Sequence, residues 1–573
     1  MEVSANMRYT VDPRQMTLFD PAETMFSPMT IKFLRSDWPG LFRAQMLHLM
    51  PAKELGEHFD PKRGCPTKEL YGMAGVIFLK EFFNLSIAET VERYLTDAAW
   101  QYALNVNPIE ASLGHATVER YTTLFVEDSL ADEIFHRVAS ALIEALELDV
   151  SRQRLDSTHI FSDMATFGRT KLMGVVIKRF LTQLKRHHAE SYGLLPGEVR
   201  DRYAPSQGRL FADVKGPRQE LRQTVAEDLL FLVNRFGDDE PVVNRSSYQA
   251  MSRVLAEQCE VTEARVEVKA KTGGDVMQNP SDPDATYDGH KGPGHQAQIC
   301  ETCGEDNDVQ LITGVETEPA HASDQAAMDP MLDQLDSHDR KPEVLYADGG
   351  YGRDENVVNA EKRGVDLQSP TSGMSPQDTE ALTVDDFVID EETEIVERCP
   401  NGCEPTSSRH DADRGETTTE MSSSDCGSCE FRSQCPVRLV HGKFVLRHTP
   451  VQRRLASRRA EQATDTFVKQ YAIRAGGESV NSGLKRRTGM GRLRTRGSPR
   501  VRLAVFLRCA GWNLFRALAA FKKRGIRDFA ARAGASCADS LNVRLHDGPA
   551  SALWRLKHAF PVRFSGPHRA STV

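Results

Sequence analysis

The sequence predicts an α/β protein: a mixed-sheet core preceded by a helical region and interrupted by a helical insertion and a cysteine-bearing one. Three observations predict it. Apolar residues at helical spacing run through roughly the first 125 residues. Short β-type runs that meet an acidic residue recur at 154–158 and 344–351. Long amphipathic segments separate those runs, as in chains that lay helices on a sheet.

The elements follow in order. Ser86-Ile87-Ala88-Glu89 is a capping box, in which the Ser oxygen takes a free N–H and the Glu reaches back. Ile87, Val91, Tyr94 and Leu95 then form one apolar stripe, and a second helix is expected over Ala116–Phe125. Arg154-Leu155-Asp156-Ser157-Thr158 reads as a short strand carrying an acid. Lys171–His188, Gln219–Phe236 and Ser247–Cys259 read as amphipathic helices. Strand character returns at Gln296–Glu301 and Val309–Thr313. Val344 to Tyr351 is an apolar run closing on Asp348-Gly349-Gly350, which places Asp348 at the carboxyl edge of a strand, where α/β sheets set reacting groups. Helix resumes from Val451 to Lys485.

Charge is divided unevenly. The chain has 573 residues with 72 Lys+Arg against 81 Asp+Glu, a net −9, which excludes a uniformly basic nucleic-acid protein. Yet Tyr471–Asp528 holds 15 Lys/Arg and 2 Asp/Glu, whereas Thr371–Glu397 holds nine carboxylates and no Lys or Arg. A basic segment on an acidic protein points to a defined polyanion site. The longest clean apolar run, Met73–Leu79, is far short of the ~20 residues a membrane span needs. Met1-Glu2-Val3-Ser4 shows no charged stretch followed by an apolar one, so no secretory signal is expected. Eleven cysteines without such a signal fit reduced thiols or metal ligands better than disulfides. No glycine-rich loop followed by Lys-Ser/Thr is present, so nucleotide hydrolysis is not indicated.

The sharpest local pattern is Tyr471-Ala472-Ile473-Arg474-Ala475-Gly476-Gly477-Glu478, continuing to Lys485. On one continuous helix, Tyr471, Arg474, Glu478 and Lys485 share a face. Gly476, Gly477 and Gly483 each weaken a helix by up to ~1 kcal/mol relative to Ala, so a loosely held helix is expected there. Asp156, Asp348 and Glu478, if gathered by the fold, would repel one another unless cations sat between them. Hard oxygen ligands of this kind select Mg²⁺ or Mn²⁺. Two such ions can assist in-line phosphoryl displacement. Asp163, seven residues past Asp156, reads as a solvent-facing carboxylate.

At these residues the sequence resembles bacterial insertion-sequence transposases of the DDE type, whose catalytic core is ribonuclease-H-like. The third motif fits the Tyr-x2-Arg-x3-Glu-x6-Lys pattern several such families share. It runs on through Arg486, Arg487, Arg492, Arg494 and Arg496 to Trp512-Asn513-Leu514-Phe515-Arg516. Leu-Asp-Ser-Thr around Asp156 and Ala-Asp-Gly-Gly-Tyr around Asp348 are in the same style, and the likeness covers roughly residues 60–520. It implies that Asp156, Asp348 and Glu478 are catalytic and bind two Mg²⁺ or Mn²⁺ ions. It implies that Tyr471, Arg474, Lys485, Arg486, Arg487, Arg492, Arg494 and Arg496 contact DNA. The implied partners are double-stranded transposon ends and target DNA; joining two ends makes a homodimer in the DNA complex the mechanistic expectation, and the short apolar runs lead to the expectation of no membrane. The implied location is the cytoplasm, at the nucleoid.

Cys426-x2-Cys429-x5-Cys435, preceded by Cys399 and Cys403, suits a four-thiolate structural Zn²⁺ site. The preferred set is Cys399, Cys426, Cys429 and Cys435, and reduced cysteines are the other reading. Cys300-x2-Cys303 has no second pair nearby and reads as chance spacing, while His295 and His321 read as ordinary surface or hydrogen-bonding residues.

The resulting organisation is a helical N-terminal domain at 1–125, implied to bind DNA ends, and the first part of the core at 126–372 with a helical insertion at about 166–280. An acidic Cys-rich insertion follows at 373–449, then the last part of the core with the basic DNA-binding segment at 450–535, and a tail at 536–573. The alternative to an active transposase is a transposase-derived DNA-binding protein without catalysis. A zinc-dependent hydrolase would need a His or carboxylate cluster around an open metal position, which the sequence lacks.

Overall fold

The structure, a computed structural model, describes residues 7–15, 20, 24–162, 164–165, 167–203, 210–211, 217–262, 265–371 and 381–529. Asp163 and the 536–573 tail lie outside the described residues.

The N-terminal region is helical, as its periodicity requires. Helix α1 (Leu70–Phe82) is apolar on nearly every side and almost wholly buried, which explains the Met73–Leu79 run as core. Helix α2 (Ile87–Thr96) begins at the capping box, with Ser86 accepting from the Glu89 N–H and Glu89 accepting from the Ser86 N–H. After His115–Glu127, helix α3 (Leu130–Leu146) leads into strand β1 (Arg152–Ser162).

Between β1 and the next sheet strand lie α4 (Arg169–His187), α5 (Arg218–Phe236) and α6 (Ser246–Gln258). Phe180, Leu229, Leu232, Met251 and Val254 build a core for this insertion that is separate from the sheet's. The chain then supplies β2 (Thr286–Asp288), β3 (Gly292–Thr302), β4 (Ile312–Pro319), α7 (Met328–Ser337), β5 (Val344–Ala347), α8 (Asp354–Lys362) and β6 (Asp366–Gln368). The strand expected at Val309–Thr313 starts at Ile312 instead. There the Asn513 side chain bonds both backbone groups of Ile312, its Oδ1 at 2.8 Å from the N–H and its Nδ2 at 2.7 Å from the C=O.

The sheet order runs from β4, with β2 on the same partner, through β3 and β1 to β5 and β6. β1 is antiparallel to β3, and β1, β5 and β6 run parallel. Alternation along β1 sorts its faces. Leu155 joins Cys300, Leu332, Leu345 and Ala347 against α7 and α8. The opposite face carries Asp156 beside its register partner Ile299, toward the remaining helices.

The acidic segment after residue 380 folds as a four-stranded antiparallel sheet: β7 (Ser407–Asp411), β8 (Glu416–Met421), β9 (Arg438–Val440) and β10 (Lys443–His448). Helices α9 (Pro450–Gln462), α10 (Asp465–Tyr471) and α11 (Gly476–Thr488) bring the chain back to the main sheet. A two-residue strand, β11 (Arg492–Leu493), pairs with the end of β1, and α12 (Ser498–Lys523) closes the fold. α12 is long and apolar enough to cross a membrane, but 78% of its apolar stretch is buried in the protein. Its Phe506, Leu507 and Leu514 share one core with Phe78 and Phe82 of α1 and Ile134 and Phe135 of α3.

Candidate functional site

Sheet register brings the two aspartates together. β1 and β5 run parallel with Leu155 opposite Ala347, so the next residue on each strand is Asp156 and Asp348. Neighbouring strands lie about 4.8 Å apart. Glu478 arrives from the first turn of α11. One guanidinium links all three: Arg474 lies 3.1 Å from Asp156, 3.6 Å from Asp348 and 3.6 Å from Glu478. The three acids of the sequence pattern therefore meet at one point, although 322 positions separate the first from the last.

Their surroundings differ. The Asp156 side chain is 13% exposed, that of Glu478 73%. Burial raises the Asp156 pKa, and the Asp348 carboxylate adds to the rise against the pull of Arg474. Asp156 accepts from its neighbour's N–H, Ser157, at 3.0 Å and from Asn481 Nδ2 at 3.2 Å. Asp348 accepts from the Gly350 N–H at 2.8 Å, which closes the Asp-Gly-Gly turn. Burial depresses ionisation at Arg474, but Asp156, Tyr471, Asp348 and Glu478 more than reverse it, and its pKa is raised.

The expected continuous helix through Tyr471 and Lys485 is interrupted. α10 ends at Tyr471, Ala472–Ala475 form a 3₁₀ turn, and α11 begins at Gly476. The glycines expected to loosen this segment instead admit close neighbours. A Cβ on Gly476 would overlap the Arg154 guanidinium, and one on Gly483 would overlap the Trp512 ring. Arg154 donates to the Ile473 carbonyl at 2.9 Å and, through Nε, to Glu301 at 2.7 Å. Arg154 thus ties the sheet to the turn that presents Arg474.

The residues expected to meet DNA take several positions. Tyr471 is half-buried, stacks on Phe467 and donates to the Ala347 carbonyl at 2.9 Å, so its hydroxyl serves the strand that ends at Asp348. Burial pushes its pKa up to about 12. Lys485 is part-buried and Arg486 exposed, and both line an open cleft of about 690 Å³ that starts at Asp156 and Glu478. Arg487 lies over the Phe515 ring at 4.0 Å. Arg494 pairs with Glu89 of the N-terminal capping box at 3.0 Å. Arg492 and Arg496 are exposed on the same strand-and-turn segment.

Several residues of this site carry no motif. Asp324 accepts from Ser157 Oγ at 3.3 Å and from Gln298 at 3.0 Å, immediately beside the acids. Fully buried Tyr351 donates to Gln298, and burial together with Asp324, Asp348 and Asp156 raises its pKa well above the ordinary value. Two signals were available in the sequence. Arg154 is two residues from Asp156 and so shares its strand face, and Asn481 is three residues past Glu478 on the helix.

The donor set suits a hard divalent cation: three carboxylates converge, and the Asn481 Oδ1 beside Asp156 is buried without a partner. No group of three or more His, Cys, Asp or Glu side chains among the described residues is arranged as a ready metal cage, since each acid here is turned to Arg474. The same holds for the zinc set. Cys399, Cys403, Cys426 and Cys435 border a small core of Phe387, Val396, Met421, Val437 and Leu446. Burial, with Cys435, Cys399 and Cys429 nearby, pushes the Cys426 thiol up to about 11. The thiols are gathered at one edge of that core.

Residues 398–518 match the family described as a transposase DDE domain, which associates this part of the chain with DNA transposition. The matched stretch contains Arg474, Glu478 and Lys485, and Asp156 and Asp348 fall outside it. No curated protein and no solved structure matches the chain.

Proposed function

We infer that this chain is the DNA transposase of an insertion sequence, cleaving element ends and joining them to target DNA by metal-assisted phosphoryl transfer. The carrying observation is that Asp156 on β1, Asp348 just after β5 and Glu478 on α11 all lie within 3.6 Å of the Arg474 guanidinium. The family match over 398–518 supports the same reading. The sheet order supports a ribonuclease-H-like core: an antiparallel group β4, β3, β1 continues as parallel β5 and β6, with acids on β1 and after β5.

Asp156, Asp348 and Glu478 would hold two Mg²⁺ or Mn²⁺ ions. When bound, such ions polarise a phosphate oxygen and make water or a 3′-hydroxyl a better nucleophile. The chain's own residues do the rest. Arg474 offers a planar fork that fits a phosphate as well as a carboxylate. Tyr471 fixes the carbonyl just before Asp348. Lys485, Arg486 and the arginines beyond them supply the charge that holds a duplex. Two ends must be brought together for joining, so a homodimer in the DNA complex fits the reaction.

The test uses labelled duplexes carrying the inverted repeats that flank the gene. Nicking that requires Mg²⁺ or Mn²⁺ is expected, with Asp156→Asn, Asp348→Asn and Glu478→Gln each abolishing it while end binding persists. Because Glu478 is mostly exposed, Glu478→Gln should change unfolding free energy by no more than about 0.5 kcal/mol. Wild-type protein that binds ends and never nicks them in either metal would instead be a transposase-derived DNA-binding protein.

A further inference from the structure

The cleft that opens at Asp156 and Glu478 extends beyond the acids to a second group of side chains. His159 of β1 lines it, the tip of the β2–β3 hairpin contributes His290 and Lys291, and α11 contributes Lys485 and Arg486. His159 is 5% exposed, and neither of its ring nitrogens completes a hydrogen bond, although the Pro293 carbonyl lies beside it. A buried imidazole with idle nitrogens is costly unless something outside the chain uses them.

Cations surround that ring. Burial first, then Lys291 and Lys485, push His159 down to about 4 against the opposing charge of Asp288. Lys485 is itself lowered, by burial first and then by Lys291. Neither ammonium forms an ion pair among the described residues. Asp288, on the same hairpin, is taken up by the backbone N–H groups of His290 and Lys291, each at 2.7 Å. Like charges gathered around an unused N–H donor are the complement of an anion. A neutral imidazole can donate one hydrogen bond without first taking up a proton.

We propose that His159, Lys291 and Lys485 form a phosphate subsite that holds a phosphodiester of the DNA strand whose neighbouring linkage lies at the three acids. The subsite rests on the transposase reading, which is what brings DNA into the cleft. A phosphate there accepts from both ammonium groups and from the imidazole, and sets the strand's register against Asp156.

The experiment titrates full-length protein into a fluorescein-labelled DNA duplex in EDTA, with anisotropy read from low to high salt. Lys291→Ala and Lys485→Ala should each weaken binding about fivefold and flatten the slope of log affinity against log salt by less than about 0.9, because the remaining ammonium still meets the shared phosphate. The double variant should flatten the slope by about 0.9, the contribution of one phosphate, not twice as much. His159→Phe, which keeps a ring and removes the N–H, should weaken binding with the slope unchanged. Lys271→Ala, on an exposed loop away from the cleft, should change neither. Lys291 is exposed, so its substitution does not put folding at risk. An unchanged slope in the double variant, or one flattened by about 1.8, overturns the subsite and leaves the transposase reading standing. A wild type that binds no duplex overturns both.

Discussion

Asp156 stands on β1 and Asp348 directly follows its parallel neighbour β5, whereas Arg474 and Glu478 ride a 3₁₀ turn and the first turn of a helix. Ladder hydrogen bonds fix the first pair's strands, β1 around Asp156 and β5 up to Ala347, and the Gly350 N–H holds Asp348 just beyond. The second pair depends on what holds the turn, namely Arg154 against the Ile473 carbonyl and Tyr471 against the Ala347 carbonyl. Among the carboxylates exposure rises from 13% and 35% for the aspartates to 73% for Glu478, while Arg474 between them is 19% exposed. The lesson is that half of the site is preset by topology and half is set by a few side chains, which makes the second half the easier one to dislodge.

Three substitutions probe that division. Arg154→Ala should have the largest effect, because it leaves Glu301, 2% exposed, buried without its cation. Breaking such a pair costs about 3–5 kcal/mol, read as the loss in unfolding free energy by urea titration. Burial already pushes the Glu301 carboxyl up to about 7 against the pull of Arg154. A cost below about 1 kcal/mol would mean the strut is ornamental and the helix half is held elsewhere.

Gly476→Ala should come next, at about 1–3 kcal/mol, since the added methyl meets the Arg154 guanidinium. The sharper reading is the double variant. If Gly476 serves only to admit Arg154, adding Gly476→Ala to Arg154→Ala should cost little more than Arg154→Ala alone. Additive costs would return Gly476 to the role of a plain helix weakener.

Tyr471→Phe should be mildest, about 1 kcal/mol, for one hydrogen bond to the Ala347 carbonyl. It also carries a pH signature. The Tyr471 pKa is raised from 10.0 to about 12, so its contribution is complete below 10 and is lost as pH climbs through about 12. The unfolded chain releases that proton first. Wild type should therefore lose more stability across this alkaline window than Tyr471→Phe does, and parallel curves would show that the hydroxyl is not held.

The sequence made the preset half legible and the adjustable half only partly so. An apolar run ending in Asp-Gly-Gly is enough to put Asp348 at a strand edge, and helical spacing alone ties Arg474 to Glu478. Spacing could not show the 3₁₀ break, because Gly476 and Gly477 look like weaknesses until Arg154 is seen beside the first of them. Glu301 lies 147 residues from Arg154, and only the register of β1 against β3 makes them cross-strand partners. The cysteines are legible by spacing alone: Cys399, Cys426 and Cys435 come together at the edge of a small core, with Cys429 close to Cys426.

The closing helix α12 has a consequence for biosynthesis. Phe515 of α12 stacks on Phe82 at 4.9 Å, and buried Arg508 reaches both Asn84 and the carbonyl of Thr488. Helices α1 and α3 therefore rely on α12, far later in the sequence, to cover their apolar faces. A chain lacking α12 should leave Phe78, Phe82 and Phe135 uncovered, open to chaperones and proteases.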